Sequence, residues 1–325
     1  METFLKVVPL AMVITTVLMA IFPLCHIVFI IATRQRTPPK TIHLKAVHLL
    51  GAWSAATVVI SLVLLFFLEA APNALARENT KRLAGWQAQG CVSPDVVKKS
   101  VFLVTTPGRT VRATSFKLEG HLLVTNRHVA RAIPENVFFS PDGAMYTSGA
   151  WQHIADAATR PDLAFMDAAD AIDEIPSLPL AKSEPSIGDS LLIVGNNWRR
   201  DFFYPSVVTV QGVGERDKIS LGPTSIMTSL SQTVLGIYLQ LFYPESLVDM
   251  GSILSRQLVF HGDTAGGNSG SPVVNCQGEV VGVQYGGRTF FWFPGEYYGL
   301  AVPLHDLKEE IDIFRKEQAP ALPNT

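Results

Sequence analysis

The chain has 325 residues, 48% of them apolar and only 17% charged, enough for one large domain or two ordinary ones. Charge is scarce compared with ordinary soluble domains, so some stretch must be too apolar to face water. A formal net charge of -2 excludes a basic nucleic-acid footprint, and three cysteines without a CxxC spacing exclude a disulfide-dense scaffold and offer no zinc ligand set.

In chain order, two apolar runs come first. Val7–Ala32 and Ala46–Leu68 hold 26 and 23 residues without a formal charge, and about 20 apolar residues cross the hydrocarbon core of a bilayer. The first run is too long for a typical signal-peptide core. Behind the second, Ala74, Leu75 and Ala76 form a signal-peptidase-like tripeptide, so cleavage there stands as an alternative to a permanent anchor. Between the runs, Thr33–Lys45 carries Arg34, Arg36, Lys40 and Lys45 and no acid. Positive charge collects on the cytoplasmic side, which predicts a cytoplasmic loop over 33–45 and an extracytoplasmic remainder. The expected organisation is a membrane hairpin over 1–69, a polar linker over 70–84, a folded domain over 85–317 and a tail over 318–325. The expected location is the cell (inner) membrane, with the domain periplasmic or extracellular.

Cys25 lies inside the first span, whereas Cys91 and Cys276 fall in the outer portion. Disulfides persist outside the cytoplasm, so those two are either bonded or a pair of buried thiols.

From Val101 onward short apolar runs alternate with turn residues. Val101–Thr105, Val111–Leu118, Leu122–Val124, Leu163–Met166, Ser190–Val194, Val207–Val213, Gln257–Phe260, Pro272–Val274, Glu279–Gln284 and Tyr297–Val302 read as strands. Many short strands with few helices predict a mainly β sandwich or barrel. Leu307, Ile311 and Phe314 mark one face of a terminal helix within His305–Lys316, and Ser225–Phe242 reads as an inserted helix, either a lid or membrane-hugging segment or an enlarged loop packing on the rest.

Three segments carry chemistry. GDTAGGNSGSPVV over 262–274 sets Ser269 among glycines, which let backbone N–H groups converge beside a hydroxyl. LLVTNRHVAR over 122–131 runs a strand into His128, and RPDLAFM over 160–166 leads Asp162 into another strand. With these motifs in the order His, Asp, Ser, residues from about 101 to 304 resemble a trypsin-like serine protease of the chymotrypsin fold. The likeness is to bacterial HtrA-like and glutamyl-endopeptidase-like members.

The resemblance implies two six-stranded β-barrels with a C-terminal helix, a Ser269–His128–Asp162 triad, and an oxyanion hole from the N–H groups of Gly267 and Ser269. It implies a protein or peptide substrate and no cofactor or metal. His121, His153, His261 and His305 lack the family context, and Asp156 and Asp167 do not precede the Leu-Ala-Phe run. Two departures matter. Asn268 stands where cleavage-activated trypsins place an aspartate, so no ion pair with a freed N-terminus is expected. Only 21 residues follow Leu304, so no C-terminal PDZ domain is expected either.

The resemblance also places Asp263, Gln284, Gly286 and Gly299 around the substrate pocket. Taken literally, Asp263 predicts cleavage after Arg or Lys; its alternative role is to support the turn. Gln284 replaces the histidine of the glutamyl endopeptidases, which disfavours acidic selectivity and leaves a small or apolar preference open. The reading is therefore a bilayer-anchored serine endopeptidase, against two rivals: a protease-like scaffold that binds without hydrolysis, and a transporter fragment. The second lacks a paired intramembrane charge. A phosphatase reporter fused after residue 325 is expected to be active in cells; an inactive fusion reverses the orientation.

Overall fold

The computed structural model describes residues 73–318, except 107–111, 134–136, 148–150, 152, 155–159, 169–171, 199, 216–255 and 290–296. Both apolar runs and the Ser225–Phe242 segment lie outside the described residues. Among those described, no helix is long and apolar enough to cross a membrane.

The chain divides into two units between Asn73 and Ala74. The second opens with helix α1 over 73–88, where the sequence predicts a linker to 84. Leu75, Asn79 and Trp86 are buried on it, at offsets of four and eleven residues that fall on one helical stripe. Asn79 and Arg82 on this face are polar, so the apolar periodicity is thin. Their bonds explain the burial: Asn79 Nδ2 donates to Pro205 O at 2.8 Å, Asn79 Oδ1 accepts from Val207 N at 2.9 Å, and Arg82 Nη1 donates to His261 O at 3.0 Å. α1 thus supplies hydrogen bonds that strand edges would otherwise lack, and it belongs to the unit that runs from Ala74.

After α2 (Pro94–Lys98), capped by Ser93, come β1 (Val101–Thr105), β2 (Arg112–Lys117), β3 (Leu122–Thr125) and α3 (Arg127–Ala132). β4 (Val137–Phe139), β5 (Met145–Thr147), β6 (His153–Ile154) and β7 (Ala164–Asp167) complete a sheet ordered β5-β4-β1-β2-β3-β7-β6. A second set closes a barrel: β8 (Ser190–Gly195), β9 (Tyr204–Glu215), β10 (Arg256–His261), β11 (Pro272–Val274), β12 (Val280–Thr289) and β13 (Tyr297–Pro303). Helix α4 (Leu304–Gln318) follows.

The fold is mainly β, as the strand pattern predicts, with one correction. The second half is a closed six-stranded barrel, but the first is a seven-stranded sheet that does not close among the described residues. Its edge strands are β5 and β6.

Alternation along β1 shows how the sheet divides the core. Val101 and Leu103 join the cluster shared with the second barrel and α4, while Phe102 and Val104 join the interior of the first sheet. Because both faces are covered, the strand reads as a continuous apolar run. Each such side chain contributes about 1.5–3 kcal/mol on burial. α4 lays Leu307, Ile311 and Phe314 on the shared cluster, with the Phe314 and Phe165 rings 5.8 Å apart.

Cys91 and Cys276 are joined, with Cα atoms 4.5 Å apart across 185 residues of sequence. Val92 N donates to Cys276 O at 2.8 Å beside this link, and Trp86 Nε1 donates to Val92 O at 2.7 Å. The bond therefore fixes the end of α1 to the β11–β12 turn. Replacing both cysteines by serine is expected to lower unfolding free energy by about 2–4 kcal/mol. An unchanged denaturation midpoint under oxidising conditions would show the link to be idle.

Candidate active site

His128 and Asp162 meet because β3 and β7 pair antiparallel with Thr125 opposite Ala164. That register sets the first turn of α3 beside the chain entering β7. His128 Nδ1 lies 2.6 Å from Asp162 Oδ2, and His128 N donates to Asp162 Oδ1 at 3.1 Å. Asn126 Nδ2 donates to Asp162 O at 2.8 Å, so ring, main chain and a neighbouring amide all fix one residue. The Asp162 side chain is 6% exposed and that of His128 26%, an acid buried behind an imidazole that reaches the surface. One residue upstream of Pro161, Arg160 makes a two-pronged pair with buried Glu310 of α4, at 3.0 and 2.7 Å. This fork geometry is the strong form of a carboxylate pair.

Ser269 belongs to the turn between β10 and β11. β2 holds that turn: Thr114 N donates to Ser269 O at 2.8 Å and Thr114 Oγ1 donates to Gly267 O at 2.9 Å. Asn196, at the end of β8, completes the clasp. Its N–H donates to Thr114 Oγ1 at 3.1 Å and its Nδ2 to Phe102 O and Ala113 O, each at 3.2 Å. The first sheet and the second barrel are thereby joined at the serine. Ser269 Oγ donates to Tyr285 O at 3.4 Å; among the described residues no hydrogen bond joins it to His128. Contacts between catalytic groups are often loose without substrate and tighten when it binds.

Carbonyl anchors set the direction of the turn's N–H groups. Gly266 O accepts from Trp198 N at 2.8 Å, and Asn268 O accepts from Ser271 N at 2.9 Å. All peptides are trans, so C=O and N–H point opposite ways. The N–H groups of Gly267 and Ser269 are therefore turned away from those anchors, and among the described residues neither has an acceptor. Gly267 sits at φ +91°, and a Cβ there would lie 2.1 Å from Asn196 O; only glycine fits. Asn268 is buried, with its carboxamide oxygen unpartnered among the described residues.

The residues assigned to the pocket divide. Gln284 is buried on β12, its backbone bonded to Gly270 and Ser271 by O and N respectively, at 2.8 and 2.9 Å. Gly286 and Gly299 lie on β12 and β13 nearby. Asp263 is buried, and its Oδ2 accepts from Arg200 Nε at 2.9 Å. Burial holds the nearby Tyr204 phenol above its ordinary pKa; the bond from Asn79 opposes this, and the Asp263 charge adds to it. Arg200, Trp198, Asn196 and Thr114 carry no motif signal, since each acts through a partner distant in sequence. No cluster able to hold a metal occurs among the described residues.

The model of the trypsin-like peptidase domain matches residues 108–283, more than half of the chain. No curated protein sequence matches. Among solved structures, a mutant of Rv3671c from M. tuberculosis in an inactive form is similar at 14% identity and TM-score 0.49, covering 71% of this chain and 95% of that one. The Rv3671c protease in an active form is similar at 15% identity and TM-score 0.48, covering 71% and 86%. With its closed barrel, its buried acid beside a histidine and its glycine-walled serine, the chain belongs to the trypsin-like peptidase family and is a serine peptidase.

Proposed function

We propose that the protein is a membrane-anchored serine endopeptidase working outside the cytoplasm through Ser269, His128 and Asp162. The observation that carries the mechanism is the doubly fixed His128–Asp162 pair, 2.6 Å from ring nitrogen to carboxylate. An imidazole held this way keeps its proton on Nδ1 and presents Nε2 as a base. In this reading the Ser269 hydroxyl, which donates to Tyr285 O at 3.4 Å, turns to that base when substrate binds.

His128 then takes the proton of Ser269 as the oxygen attacks the peptide carbonyl, and returns it to the leaving amine. Asp162 stabilises the imidazolium formed in between. The N–H groups of Gly267 and Ser269 receive the developing oxyanion. Water, activated by the same histidine, releases the acyl group and restores the serine. The apolar runs at 7–32 and 46–68, with the basic loop between them, support the anchor and its orientation. The substrate is accordingly a peptide or protein reachable from the bilayer surface.

A fluorophosphonate probe is expected to label the full chain at Ser269, and both Ser269→Ala and His128→Ala to abolish labelling while the far-ultraviolet spectrum is kept. Labelling that survives Ser269→Ala removes the assignment. For Gly267→Ala, kcat is expected to fall by about 100-fold or more, with a smaller change in KM. An unchanged kcat would place the oxyanion elsewhere.

A further inference from the structure

We propose that Arg127 is a positioning residue for the reaction: its buried guanidinium holds the backbone in front of Asp162, and through it the carboxylate that orients His128. The inference rests on the Ser269–His128–Asp162 reading and deepens it.

Arg127 stands between two residues already engaged with the acid. Asn126 Nδ2 donates to Asp162 O at 2.8 Å, and His128 meets Asp162 with its main chain and its ring, at 3.1 and 2.6 Å. The Arg127 side chain runs the same way: its Nη1 donates to Arg160 O at 3.4 Å and to Pro161 O at 3.3 Å. Residues 126 to 128 thus hold residues 160 to 162. Pro161 O also accepts from Leu163 N at 2.8 Å, which closes a three-residue turn with Asp162 at its apex. A turn this small has one bond of its own, and a cation on the same carbonyl fastens it. Both guanidinium contacts are long for a hydrogen bond. The hold is therefore electrostatic, a charge acting on carbonyl dipoles in a buried setting where such attraction is strong.

Local energetics alone would not put these two residues at the start of α3. Asn126 is the N-cap, yet its side chain makes no capping bond, so the helix lacks the stabilisation of about 1 kcal/mol that such a bond gives. Arg127 follows at the first helical position, where the unbonded N–H groups favour an acid over a base. It is also 1% exposed, although taking a guanidinium out of water is costly. Two adjacent side chains thus act against their own helix, and both are directed at the segment that carries Asp162. Departures of this kind from local preference collect at functional sites. From α4, Glu310 takes the Arg160 side chain at 3.0 and 2.7 Å, so the segment is gripped by its carbonyls and by a side chain. A carboxylate anchored this way keeps its place while positive charge develops on His128.

The test uses the full chain in detergent and a fluorophosphonate: the Ser269 oxygen bonds to phosphorus, fluoride leaves, and the hydroxyl proton passes to His128. The limiting rate of this step and the half-saturating probe concentration are read separately. Arg127→Met is expected to lower the limiting rate by on the order of tenfold or more, with little change in half-saturation. Arg127→Lys, which keeps a buried cation, is expected to restore most of the rate. In an Asp162→Asn background Arg127→Met is expected to add no further loss, because its effect passes through that carboxylate. The far-downfield proton resonance of the His128–Asp162 hydrogen bond, identified by its loss in His128→Ala, is expected to shift or broaden in Arg127→Met and to recover in Arg127→Lys. Arg127→Gln, smaller and neutral, is read in the same way and carries the test where the methionine variant does not fold. A folded Met or Gln variant with the wild-type rate and resonance overturns the proposal, as does an undiminished loss in the Asp162→Asn background. Asp162→Asn with the wild-type rate overturns the triad itself, and the proposal with it.

Discussion

Thr114 is the point at which the two halves of the peptidase become one site. Its backbone N–H holds the Ser269 carbonyl and its hydroxyl holds the Gly267 carbonyl, while Asn196 closes the set from the second barrel. A turn made of Gly266, Gly267, Asn268, Ser269 and Gly270 has little conformational preference of its own. Its shape must be imposed, and these buried bonds impose it in an interior where an unmatched polar group is costly. Thr125 Oγ1 extends the chain of bonds by donating to Thr114 O at 2.7 Å. Thr125 immediately precedes Asn126, which fixes Asp162, so the Ser269 turn and the His128–Asp162 pair share one frame.

The same logic recurs behind the acid. Glu310 reaches Arg160 from α4, and the apolar face of that helix fills the core shared by the two halves. Hydrophobic packing places the helix, and the ion pair then fixes the segment carrying Asp162. Burial provides the stability, and a few directional bonds determine geometry.

Ten strands were legible because their residues are β-branched or aromatic and bounded by Gly, Pro or Asn. β4, β5 and β6 were not: two or three residues each, with Met145 and Thr147 exposed, they leave almost no pattern. α1 was hidden because Asn79 and Arg82 stand where an amphipathic helix would show apolar residues. The site was legible where chemistry requires a local motif, at His128, Asp162 and the glycines around Ser269. It was illegible where the meaning of a residue depends on a distant partner. Asp263 has the spacing of a basic selector, yet its carboxylate accepts from Arg200, 63 positions earlier in sequence. No local window contains both.

α1 and the cysteine link have a mechanical consequence. Tension applied from the N-terminal side would first strip Asn79 and Arg82 from their strand-edge partners and unwind the helix. It would then meet a covalent stop at Cys91, which passes the load to Cys276. The load would then enter the second barrel at the β11–β12 turn rather than through β1 and β2.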